Sequence, residues 1–130
     1  MDNKESEQTQ ILIAESNSEL LVLFREYLSS FGIKAETVSN GHEAIEQFLN
    51  NKENEHPYDA IVLDTHLSSP SGLEVAKKIR SEKPNQKLVL VTTTPKENLP
   101  KGCLETARIR EGDILTMPFK LSKLASVLKN

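Results

Sequence analysis

Ala60-Ile61-Val62-Leu63-Asp64-Thr65-His66-Leu67-Ser68-Ser69-Pro70-Ser71-Gly72-Leu73-Glu74 is the stretch on which the fold turns. Its first four residues form a continuous apolar run, the pattern of a parallel strand covered on both faces. Asp64 closes that run with a carboxylate. After a polar loop, Ser71 and Glu74 stand at capping-box spacing, where side chains at the first and fourth positions satisfy the orphan amide donors of a new helix. Val75, Ala76 and Ile79 supply the inward face of that helix, which must stop before Pro84, because the residue preceding a proline is pushed out of the helical region. The unit is strand, loop and helix, with an acid at the strand's carboxyl end.

The same unit recurs on both sides. Ile11-Leu12-Ile13-Ala14 is another short apolar strand, and Leu20, Leu23, Phe24, Tyr27, Leu28 and Phe31 fall on one stripe of a helix that Gly32 ends. Ser16 and Glu19 have the capping-box spacing and are expected to start that helix. Ile33 to Val38 alternates apolar and polar residues, as suits a less covered edge strand. A helix from about Gly41 carries Ala44, Ile45, Phe48 and Leu49 on one side. Beyond the central stretch, Leu88-Val89-Leu90-Val91 is a fourth strand. Pro95 and Pro100 break the next segment, leaving room for a short helix around Leu104 to Ile109. Ile114-Leu115 is a last short strand, and Leu121, Leu124 and Leu128 stripe a closing helix.

Strand and helix alternate five times. Right-handed crossovers then give a doubly wound α/β domain, a parallel sheet with helices on both faces. Ligand sites in such sheets lie outside the carboxyl ends of the strands. The residues to inspect are therefore Glu15 and Ser16, Asp64, Thr92 and Thr93, and Met117 with Pro118.

Composition narrows the function. The chain has 130 residues, enough for one core, with the polar residues 1–9 expected as a disordered tail and 10–130 as the domain. No apolar stretch approaches the roughly 20 residues of a membrane span, and nothing at the start resembles an export signal, so the expected location is cytoplasmic. The single cysteine, Cys103, rules out an internal disulfide, and reads as a small half-buried apolar residue. A net charge of -3 with dispersed lysines argues against direct nucleic-acid binding and for a protein partner. His42, His56 and His66 share no metal-ligand spacing, so a zinc site is not expected.

From Gln10 onward the chain resembles the receiver domains of two-component response regulators, whose best-known member is the bacterial chemotaxis receiver. The resemblance rests on Asp64 at the end of the third strand, Gly72 eight positions on, Thr92 closing the fourth strand, and Pro118-Phe119 after the fifth. It implies a five-stranded flavodoxin-like (βα)5 fold with strand order 2-1-3-4-5. It also implies that Asp64 accepts a phosphoryl group from a histidine kinase or phosphotransfer protein. Mg²⁺ would be held by Asp64, Glu15 and the backbone carbonyl of His66, with Thr92 as the phosphate-contacting switch.

Three positions depart from the family pattern. Ser16 stands where an aspartate usually contacts the metal, and a neutral hydroxyl is a poor ligand for hard Mg²⁺, so weak binding is expected. Met117 replaces the lysine before the Pro-Phe pair, and a thioether supplies neither its charge nor its donor. Ile114 replaces the aromatic that many receivers swing inward. The alternative is a pseudo-receiver, a protein-interaction module whose Asp64 is not modified. An independent enzyme fits badly, since the second acid of dehalogenase-like phosphatases is His66 here and no glycine-rich loop follows the first strand. No linker or effector domain follows Lys129-Asn130, which suits a stand-alone receiver or one cut from a longer protein.

Overall fold

The apolar runs of the sequence become the inner strands of one parallel sheet. In the computed structural model, which describes residues 8–129, these are β1 (Gln10–Ala14), β3 (Ala60–Asp64) and β4 (Leu88–Thr92). β2 (Lys34–Val38) and β5 (Ile114–Thr116) form the edges, and the order is β2-β1-β3-β4-β5. Every residue of β3 and β4 is buried, whereas none of β2 is. The alternating pattern of residues 33–38 thus marked the edge correctly.

Successive strand residues face opposite sides, which splits the core in two. Leu12, Ile61, Leu63, Leu88 and Leu90 pack with Phe48 of α2 (Gly41–Asn51) and Ile79 of α3 (Gly72–Glu82). Ile11, Ile13, Val62, Val89 and Val91 pack with Phe24 and Leu28 of α1 (Ser18–Ser29) and with Leu124 of α5 (Leu121–Lys129). Each fully buried Leu, Ile or Phe contributes about 1.5–3 kcal/mol, so these two layers are the main source of stability.

The start of α1 differs from expectation. Ser16 does not cap α1; Asn17 does, its side-chain oxygen accepting from the Leu20 amide at 3.0 Å. The cause lies in the buried strand end, where the Glu15 carboxylate accepts the Asn17 amide at 3.0 Å and holds residue 17 outside the helix. Ser16 is left exposed. Asn40 caps α2 by accepting from the Glu43 amide at 2.8 Å, and Glu43 accepts in return from the Ser39 amide at 3.0 Å. Ser71 caps α3 as expected, accepting from the Glu74 amide at 3.3 Å. The α1 stripe is narrower than its spacing implies, since Leu23 and Phe31 are 46% and 47% exposed.

α4 runs over Lys101–Thr106, three residues earlier than expected. Pro100, which lacks an amide hydrogen, stands at its start, a position where no intrahelical donor is needed. Its end is set by Arg108, which adopts a left-handed conformation (φ 52), with the Ile109 amide closing onto the Leu104 carbonyl at 3.0 Å. Glycine usually marks such an end, and an arginine there gives no sequence signal.

Gly72 is required by contact rather than by φ. A Cβ there would collide with the carbonyl of Asp64 and come within 2.9 Å of the Thr65 Cα, so only glycine lets α3 begin against the end of β3. The tail expected over residues 1–9 lies outside the described residues except for Gln8 and Thr9, and the Thr9 carbonyl accepts from the Lys34 amide at 2.9 Å. Among the described residues no helix is long and apolar enough to cross a membrane.

The two candidate caps separate cleanly by mutation. Asn17→Ala should lower stability by about 1 kcal/mol, and Ser16→Ala by no more than a few tenths. Urea unfolding of the two variants checks this, and equal losses would contradict the assigned cap.

Candidate functional site

The register of the three inner strands gathers the candidate residues. Ala14 pairs with Leu63 and Asp64 pairs with Val91, so Glu15, Asp64 and Thr92 come together where β1, β3 and β4 end. All three are withdrawn from water, at 3%, 9% and 0% exposure. Sequence reasoning selected each of them, and the fold brings them to one place.

Two carboxylates sharing a dry strand end cannot both ionise freely. Burial pushes the Glu15 carboxyl up to about 7. Hydrogen bonding with Asp64 and its charge act in the same direction, while the amides of Asn17 and Ser16 oppose the rise. Asp64 is tied down locally, because its Oδ1 accepts the His66 amide at 2.9 Å. Its other oxygen carries no bond of this kind among the described residues.

Thr92 stands in a hydroxyl relay that the sequence did not disclose. Its Oγ1 accepts from Thr65 Oγ1 at 2.7 Å and from the Thr94 amide at 3.0 Å. With both acceptor sites filled, the Thr92 proton is left as a donor to an incoming anionic oxygen. Thr65 was missed because its partner depends on the pairing of β3 with β4, which places residue 65 opposite residue 92. The His66 ring bonds the hydroxyls of Thr93 and Thr94 at 3.0 and 3.3 Å, joining the loops after β3 and β4.

The three departing positions have distinct surroundings. Ser16 is exposed and carries no capping duty. Met117 is half-buried against the cluster that holds Phe24 and Leu124, with its amide on the Thr92 carbonyl at 2.8 Å. Ile114 is 5% exposed and fills the space between β5 and the α4 side of the core. Phe119 stacks on Phe24 at 6.1 Å. Among the described residues no group of three His, Cys, Asp or Glu side chains could hold a metal alone. Glu15 and Asp64 are two buried hard carboxylates that make no ion pair among the described residues, a donor set that fits a divalent ion with one ligand fewer than a full acidic triad.

Comparison with known proteins adds a family. The model of the response regulator receiver domain matches residues 11–129. The transcriptional regulatory protein RprY of Bacteroides fragilis is 31% identical over 91% of this chain, which spans 47% of that protein. Two-component response regulator 24 of Arabidopsis thaliana is 28% identical, with 82% of this chain and 71% of the relative covered. The chain thus spans about half the length of the first of these relatives. Among solved structures, response regulator protein TrrA of Thermotoga maritima, in complex with Mg²⁺ and BeF, is 28% identical with a TM-score of 0.77. The match covers 93% of this chain and 96% of that one.

The raised Glu15 has a consequence for stability. Below pH 4.5 the carboxyl is protonated folded or unfolded; between 4.5 and about 7 only the unfolded chain releases its proton, so stability falls as pH rises through that window. With divalent ions chelated, Glu15→Gln should remove that fall. Urea midpoints across the window test it, and parallel profiles for both proteins would refute it.

Proposed function

The chain belongs to the response regulator receiver domain family, and we propose that its Asp64 accepts a phosphoryl group from a phosphohistidine donor. Receiver domains of this family are signalling modules of two-component systems. The observation that carries the residue assignment is the meeting of Asp64 with Glu15 and the donor hydroxyl of Thr92 at the end of β3.

The oxygen of Asp64 attacks phosphorus, forming an acyl-phosphate O–P bond while the donor's P–N bond breaks and its electron pair returns to the imidazole. Thr92 donates its proton to a phosphoryl oxygen, and Thr65 and the Thr94 amide aim that donor. Glu15, Asp64 and the His66 carbonyl would hold Mg²⁺. When bound, such an ion neutralises the carboxylates and the incoming phosphoryl oxygens. Ser16 and Met117 leave this pocket short of one ligand and one cation, so binding and labelling are both slow or weak by family standards. Release of the hydroxyl relay and of the His66 bonds to Thr93 and Thr94 would carry the signal into the β4–α4 loop, with Ile114 buried in place of a swinging aromatic.

The upstream partner is a histidine kinase or a phosphotransfer protein, and the downstream partner is another protein. The cytoplasm suits this role. Its test is the time course of acyl-phosphate formation with a small phosphodonor and Mg²⁺, with Asp64→Asn as the blank. Wild type should label slowly at Asp64. Ser16→Asp with Met117→Lys should label roughly two decades faster, because Ser16 is free to change and a lysine stem can cover the apolar surface that Met117 covers. No labelling of either folded protein would leave a protein-interaction module without phosphorylation.

The hydroxyl relay makes its own prediction. Thr65→Val, matched in shape but without the hydroxyl, should slow labelling about fivefold, near the 1 kcal/mol of one net hydrogen bond. Thr65→Ser should restore the rate. A valine variant that labels at the wild-type rate would remove Thr65 from the pocket.

A further inference from the structure

A second concentration of charge lies at the opposite end of the sheet, roughly 16 Å away at about 3.3 Å per strand residue along β4. Lys87 precedes β4 and Asp113 precedes β5. With Arg80, Arg108 and Arg110 they line a recess of about 330 Å³. Four cations therefore face one carboxylate.

Among the described residues, Asp113 is the one carboxylate that lines the recess. Arg80 is buried and its guanidinium is spent on neutral carbonyls, those of Ala107 at 2.8 Å, Pro84 at 2.7 Å and Gln86 at 2.6 Å, which hold it in place without cancelling its charge. Asp113 is shared between Arg110 at 3.1 Å and Lys87 at 3.5 Å. The Lys87 ammonium is shut off from solvent and makes no hydrogen bond. Burial, and then the charges of Arg108 and Arg110, hold Arg80 below its usual value, so these cations feel one another. Arg108 has no ion pair among the described residues and occupies a left-handed position where glycine is usual.

Like charges held around a recess, one of them a dry ammonium that makes no hydrogen bond and shares Asp113 with Arg110, favour an anion. Guanidinium forks suit phosphate oxygens, and an ammonium adds a point charge. The recess is too small for a folded partner, and a chain of net charge -3 does not attract an extended polyanion. We propose that the recess formed by Arg80, Lys87, Arg108 and Arg110 binds a small phosphate-bearing anion, either free or as the diphosphate of a nucleotide. This site is separate from Asp64 and would let the level of such an anion act on the domain from its other end.

The test is an NMR titration of the whole chain without Mg²⁺, using inorganic pyrophosphate in one arm, ADP in a second, and NaCl of matched ionic strength in a third. Saturable shifts should appear at residues 86–88 and 108–113, with a Kd of about 1 mM or tighter, and not around Asp64. Binding in the ADP arm as well assigns a nucleotide source; pyrophosphate binding alone assigns a free anion. Arg108→Gln with Arg110→Gln should weaken binding at least about tenfold, equivalent to about 1.4 kcal/mol. If losing the Arg110 contact to Asp113 unfolds the pair variant, Arg108→Gln alone should still weaken binding, since Arg108 holds no structural partner. The same shifts with NaCl, shifts centred on Asp64, or unchanged affinity in the folded variants would each overturn the proposal.

Discussion

The carboxyl end of the sheet depends on one constraint of main-chain register. β1 and β3 are adjacent and parallel, and both end in the same layer with an acid at or just past the last paired residue. Two carboxyl groups are thereby driven together behind a buried sheet. Desolvation, with hydrogen bonding to Asp64 and its charge, raises Glu15, while the Asn17 amide on the Glu15 carboxyl opposes the rise and leaves residue 17 as the cap of α1. A helix boundary is set here by the electrostatics of a site.

The neighbouring strand supplies the complementary chemistry. Thr92 is fully buried at the end of β4, yet each of its acceptor sites is filled by a group from its own loop or from the residue after Asp64. The arrangement orients a donor without a charge. Met117 brings no cation to this end of the sheet, and its half-buried thioether packs against the core that supports α5. Gly72 closes the geometry by letting α3 start directly against the carbonyl of Asp64.

The two ends of the sheet differ in charge. Carboxylates and hydroxyls gather at the carboxyl ends of the strands, and guanidinium and ammonium groups gather where β4 and β5 begin. Stability comes from the two apolar layers between them, so neither end has to be electrically neutral for the domain to fold.

Much of this was legible in the sequence. Apolar runs identified the inner strands, alternation identified the β2 edge, and the convergence of strand ends in a parallel sheet picked out Asp64, Glu15 and Thr92 as neighbours. What the sequence could not disclose depends on which residues become neighbours. Ser16 and Asn17 are both good caps, and only the buried Glu15 carboxylate chooses between them. Leu23 and Phe31 fit the α1 stripe by spacing, but the groove between α1 and the sheet is narrower than the stripe. Arg108 ends α4 without the glycine that would announce it. Thr65 became part of the site only when β3 paired with β4, and the cationic recess only when the ends of three segments met. Local pattern determines which elements form, because propensity and burial act along the chain; tertiary contact decides which polar groups share a space, because charge and hydrogen bonding act across it.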